Sequence, residues 1–187
     1  MAKNLKTNLL NDQTINVLRK FMIFAHLSAD EIRRFLSMGA EYESKIAKLS
    51  QHSAGESVIR EGDFDCWTFW IVKGTYDVIQ NGELVISFSA PGEIFGEMSV
   101  LEGIPRTASV IAATGGVCLC IDMSVIDTLR DHRIAEIIKK GFYDVILTRL
   151  DRTKGKMMAE KQRLEAKYDE LLDFEDRIRA KAKGGDS

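Results

Sequence analysis

The sequence predicts an α+β fold, an antiparallel β-roll or jelly-roll barrel flanked by N-terminal helices and a long C-terminal helix. Three observations carry this. Residues 14–36 set apolar side chains at helical spacing. Residues 45–121 break into short runs rich in Val, Ile, Phe and Trp, punctuated by glycines such as Gly55, Gly62, Gly74, Gly82, Gly92, Gly115 and Gly116. Residues 133–183 then return to a charged, helical pattern. A chain of 187 residues, 45% apolar and 29% charged, has room for one well-cored domain and an appendage. The expected divisions are a helical segment over 1–40, a β-roll over 41–122 with a glycine-rich turn at 95–108, hinge or lid helices over 123–154, and a charged helix over 155–183.

Ile15, Val17, Leu18, Phe21, Met22 and Phe24 recur at near-helical spacing and predict a helix over 14–24 with one buried face. Ser28 and Glu31 form the capping-box pattern ahead of Ile32, Phe35 and Leu36, and Gly39 offers a stop. Among the strands, TYDVIQ and ELVISFS are separated by Asn81 and Gly82 alone. That pair suits a tight hairpin in which both central residues take positive φ. Many short strands at this spacing favour a closed antiparallel roll over an open parallel sheet.

Residues 124–129 predict a short helix, and 133–183 either one long helix or two joined at Gly155, since a mid-helix glycine costs about 1 kcal/mol relative to alanine. Beyond it Met157, Leu164, Tyr168, Leu171 and Ile178 lie close to an alternating 3–4 spacing that Lys161 and Glu175 interrupt. Such a seam fits either a solvated helix or a homodimer contact through the C-terminal helix. Residues 184–187 read as a disordered end.

The run PGEIFGEMSVLEGIPRTASV at 91–110 is the most informative stretch. Gly92 and Gly96 relieve a tightly bent backbone, Glu97 opens a short apolar helical turn and Gly103 closes it. Helix N–H groups and the planar fork of Arg106 make the turn an anion pocket.

FGE, a short apolar helix and then PRTASV resembles the phosphate-binding cassette of cyclic nucleotide-binding domains. AGESVIREGD at 54–63, WIVKG at 70–74, PGEIFGE at 91–97 and the upstream FAHLSADEIRRFL at 24–36 fit the same family in order and spacing, extending the resemblance over roughly residues 15–153. The resemblance implies a cAMP or cGMP ligand, with Arg106 against the cyclic phosphate and Glu97 accepting the ribose 2′-hydroxyl. Gly96, Met98 and Ser99 would present backbone N–H groups, and Thr107 and Ala108 would line the phosphate pocket. A threonine at the Thr107 position meets a guanine amino group in some relatives and occurs in cAMP-preferring ones too, so cAMP and cGMP both stay open. Val85 and Ile86 would give apolar contacts to the base. ILTRLDRTK at 146–154 resembles the base-capping helix of bacterial catabolite activators, which places Thr153 at the base, with Arg149 or Arg152 as alternatives.

The formal net charge of −2 provides no general attraction to nucleic acid or anionic membrane, and no run approaches the ~18 apolar residues of a membrane span. Cys66, Cys118 and Cys120 lack metal-ligand spacing and read as buried thiols of a reducing, cytoplasmic compartment. His26, His52 and His132 are scattered, and no nucleophile–base pair or carboxylate dyad stands out, so neither an enzyme nor a bound cofactor is expected. The leading expectation is a cyclic nucleotide sensor that moves its C-terminal helices. The alternatives are a scaffold with a vestigial pocket, and a transcription regulator lacking a recognisable DNA-binding domain.

Overall fold

The computed structural model describes residues 3–4, 11–38 and 46–183, and within them the first helices start where local side chains cap them. Asn11 accepts the Thr14 N–H at 2.7 Å and opens α1 (Asp12–Leu18). The helix expected over 14–24 is shorter than its apolar spacing implied. At Phe21 the backbone is extended (φ −78°, ψ 136°), and one 3₁₀ turn follows at Met22–Phe24. That step lays the buried Phe21 ring against Gly92, where a β-carbon would stand 3.4 Å away. The capping box forms as expected at α2 (Ala29–Met38): the Ser28 N–H donates to Glu31 Oε2 at 2.8 Å and the Glu31 N–H to Ser28 Oγ at 3.3 Å. The Gly39 stop and the 184–187 end lie outside the described residues.

The described strands are β1 (Lys3–Asn4), β2 (Ala47–His52), β3 (Ser57–Ile59), β4 (Trp67–Lys73), β5 (Tyr76–Gln80), β6 (Glu83–Phe88), β7 (Ile94–Phe95), β8 (Ser109–Ala112) and β9 (Gly116–Asp122). All their pairings are antiparallel. The closed roll or barrel expected from strand spacing does not form. The strands make two open sheets, ordered β1-β2-β9-β4-β7 and β3-β8-β5-β6, whose end strands do not pair to close either sheet. Side-chain packing, not strand pairing, joins the sheets. Phe69, Ile71, Phe95, Cys118 and Cys120 of the first share one core with Ile59, Tyr76, Phe88, Val110 and Ala112 of the second. Apolar alternation serves a two-sheet core as well as a barrel, so spacing alone does not distinguish them.

The expected hairpin is present, with φ +52° at Asn81 and +83° at Gly82 joining β5 to β6. A register shift at Val78/Ile79 pairs Val78 with Ile86 and Ile79 with Leu84, so Val85 is the extra residue of a β-bulge. β9 is buried almost throughout because its second face is also covered. On that side Trp70 of β4 meets Phe142 at a ring separation of 6.2 Å. Phe142 belongs to α4 (His132–Lys183), which follows a 3₁₀ segment at Met123–Thr128. Gly141 lets α4 come close, since a β-carbon there would lie 2.7 Å from Ile23 Cα.

α4 runs unbroken through Gly155, which decides between one helix and two. It crosses the boundary of two units, Met1–Val145 and Ile146–Ser187. Within the second, Leu147, Leu150, Met157, Met158, Leu164, Tyr168, Leu171, Leu172 and Phe174 are all exposed. Among the described residues no helix is long and apolar enough to cross a membrane.

Candidate functional site

The glycine-rich turn folds as its composition implies. Gly96, at φ +77°, precedes α3 (Glu97–Glu102), and Gly103, at φ +65°, ends it with its N–H bonded to Ser99 O. Gly96 is also the only residue type that fits, because a β-carbon would stand 2.9 Å from both Arg106 Nη1 and Ile59 Cδ1.

Arg106 organises this region and is 3% exposed. Nη1 donates to Gly96 O at 2.5 Å and to Ser99 Oγ at 3.0 Å. Nη2 donates to Trp67 O at 2.5 Å and to Asp65 Oδ1, while Nε donates to Asp65 Oδ2 at 3.2 Å. A guanidinium has five N–H donors, and all five are used within the protein. The Arg106 backbone is held as well, its N–H bonding Asp63 O and its carbonyl accepting from Gly62, both at 2.8 Å. The loop before β4 therefore clasps the arginine through main chain and carboxylate together.

Of the residues expected at the site, Gly96, Ser99 and Arg106 are joined by hydrogen bonds. Glu97 is buried beside them at 4% exposure, while Met98 is exposed. Thr107 is exposed and its carbonyl accepts from Gln80 Nε2 at 3.0 Å; Ala108 is partly buried. Val85 and Ile86 are exposed on β6, in the same sheet as β8 and two strands from it, about 10 Å. Thr153 lies in the other unit, where its hydroxyl donates to Arg149 O at 2.9 Å.

Two groups escaped the sequence reading. Asp65, 41 positions from Arg106, has no local motif to mark it. The one available signal was chemical, since a buried arginine needs a carboxylate and the adjoining loop offers Asp63 and Asp65. The other is a polar cluster across the sheets: His52 Nε2 lies 3.0 Å from Ser50 Oγ and Nδ1 3.3 Å from Tyr76 Oη. Burial pushes the His52 pKa below 6.5 and the Tyr76 hydroxyl well above 10. Burial likewise raises the Cys118 thiol to about 12, so it stays protonated. Among the described residues no three His, Cys, Asp or Glu side chains gather into a metal site.

The arrangement is a buried arginine bound to a glycine turn and a short helix at the edge of a two-sheet core. Residues 49–133 match the family model "Cyclic nucleotide-binding domain". It is 35% identical over 89 residues to the cAMP-dependent protein kinase regulatory subunit of Mycosarcoma maydis, covering 44% of this chain and 17% of that one. It is 27% identical over 160 residues to the cGMP-dependent protein kinase of Toxoplasma gondii, covering 86% of this chain and 13% of the relative. The chain thus spans under a fifth of the length of these curated relatives. A solved cyclic nucleotide-binding domain from Methylobacillus flagellatus shares its fold, with TM-score 0.67, 17% identity and coverage of 86% and 88%.

Proposed function

We propose that this chain is a cyclic nucleotide sensor, a cytoplasmic regulatory module that performs no chemistry and converts cAMP or cGMP occupancy into movement of its C-terminal helices. The observation that carries the reading is the Arg106 fork seated between Gly96 and Ser99 within the family match. A cyclic phosphate takes Nη1 from Gly96 O and Ser99 Oγ, and the released Ser99 hydroxyl donates to a second phosphate oxygen. Backbone N–H groups of Gly96, Met98 and Ser99 complete the cradle, with Thr107 and Ala108 at its rim. Buried Glu97 accepts the ribose 2′-hydroxyl, and Val85 and Ile86 contact the base. Ligand moves the helix only by its differential affinity for two helix positions. Two copies pair through the exposed seam of the C-terminal helix, and neither nucleic acid nor membrane is a partner.

Titration calorimetry with cAMP and cGMP tests this. Micromolar or tighter binding of one nucleotide is expected, lost in Arg106→Ala and weakened toward the 2′-deoxy ligand level in Glu97→Gln, with circular dichroism verifying that both variants fold. No heat from the intact chain with either nucleotide would overturn the proposal. Hydrogen exchange then reports coupling, and protection confined to the sheets would count against movement of α4.

A second reading, a scaffold whose pocket has lost its ligand, is favoured by the full use of the five Arg106 donors inside the protein. Retention of both Glu97 and Arg106 weighs against it, and the same titration separates the two.

A further inference from the structure

The second unit presents an apolar seam with nothing against it among the described residues, and its charges say which way a second copy lies on it. Counting heptads from Leu147, the first seam position holds Leu147, Lys154, Lys161, Tyr168 and Glu175. The other holds Leu150, Met157, Leu164, Leu171 and Ile178, apolar at every turn. Leu147, Leu150, Met157, Leu164, Tyr168 and Leu171 are each between 47% and 68% exposed. The helix is also polarised along its length. Residues 149–163 carry six basic side chains against two acidic, and residues 165–176 carry six acidic against one basic.

A parallel pair would set Lys154, Lys161 and Glu175 each against its own copy in the seam and lay basic block on basic block, which is repulsive at close range. An antiparallel pair removes every one of these conflicts. Aligned so that the basic block of one helix faces the acidic block of the other, the seam layers are Leu150 with Glu175, Lys154 with Leu171, Met157 with Tyr168 and Lys161 with Leu164. Each lysine then runs its methylene stem along an apolar partner and carries its charge to the edge. In this register Glu160 and Lys167 of opposite copies also meet at the flanks, twice per pair by symmetry.

From this pattern we propose that two copies of the chain associate through residues 150–175 as an antiparallel coiled coil, with its two-fold axis between residues 162 and 163. This rests on the pairing of copies proposed above and is independent of whether the nucleotide site is occupied.

The test uses the full chain with Cys66→Ser, to leave no accessible native thiol, and a spin label introduced by Ala159→Cys or Asp173→Cys on the outer face of the helix. Sedimentation equilibrium should show a dimer at tens of micromolar that loosens as salt rises. At ~1.5 Å rise per residue, antiparallel copies separate along the axis by about 10 Å at position 159 and about 32 Å at position 173. The 173 pair should therefore read clearly longer than the 159 pair in pulsed dipolar spectroscopy. Equal distances, or a dimer that tightens with salt, would overturn the orientation; a monomer throughout would overturn the pairing. Nucleotide titration of the same samples reports the binding site separately.

Discussion

Removing the Asp65 carboxylate while Arg106 stays in place isolates the pair that holds the candidate site together. The Arg106 side chain is 1% exposed and that of Asp65 38%. Deleting one partner of a fully buried ion pair costs roughly 3–5 kcal/mol, because the remaining charge is stranded. Here water can reach part of the vacated side, and Arg106 keeps its bonds to Trp67 O, Gly96 O and Ser99 Oγ. The expected loss for Asp65→Ala is therefore about 2–3 kcal/mol. At a urea m-value of about 2 kcal/mol/M the denaturation midpoint should fall by roughly 1–1.5 M. Combining Asp65→Ala with Arg106→Met removes both charges and keeps an unbranched apolar chain in the space. The double variant should be destabilised by about 1–3 kcal/mol less than the sum of the single changes. A midpoint shift below about 0.3 M for Asp65→Ala, or additivity within ~0.5 kcal/mol, would refute the view that this pair braces the turn.

Other outcomes follow from the same packing. His52 binds its proton less readily in the fold than in the unfolded chain, so its contribution is intact above pH 6.5 and is lost as pH falls through that value. Urea midpoints at pH 7.5 and 5.5 should differ more for the native chain than for His52→Gln, and equal differences would contradict the assignment. Glu31, held to a pKa of about 2 by Ser28 and Arg133, stabilises above about pH 4.5 and loses that contribution between pH 4.5 and 2. Glu31→Gln should flatten the acid limb of the stability curve over that interval. Gly155 is helical with open space around it, so Gly155→Ala should slow amide exchange of the surrounding turns by the equivalent of about 0.5–1 kcal/mol. Gly141→Ala should act oppositely, overpacking against Ile23 by at least about 1 kcal/mol and lowering the urea midpoint by at least about 0.5 M.

Local signals in the chain were read where a few adjacent residues settle the structure. The Ser28–Glu31 box, the Asn81–Gly82 turn and the glycines around α3 each depend on backbone angles or capping bonds within four positions. Arg106 could be picked out because its neighbours form a recognisable turn. Asp65 could not, since it lies 41 positions from the arginine it binds. The helix expected over 14–24 ends at Leu18, and the extended backbone at Phe21, whose buried ring lies next to Gly92, separates it from the 3₁₀ turn at Met22–Phe24.

The sequence by itself determined which stretches are helical and which are strands, where the glycine-bounded turn before Arg106 lies, and that the C-terminal segment has an apolar seam with segregated charge. These properties follow from periodicity, glycine and charge, which act over one or two turns of chain. The tertiary structure alone decided that the strands form two open sheets joined by a side-chain core and that helix α4 passes through Gly155. It alone placed all five Arg106 donors within the protein. The sheets and the Arg106 bonds depend on contacts between residues distant in the chain, where burial and hydrogen bonding select among arrangements that the local pattern leaves equal, whereas α4 keeps its run through Gly155 with open space around that residue.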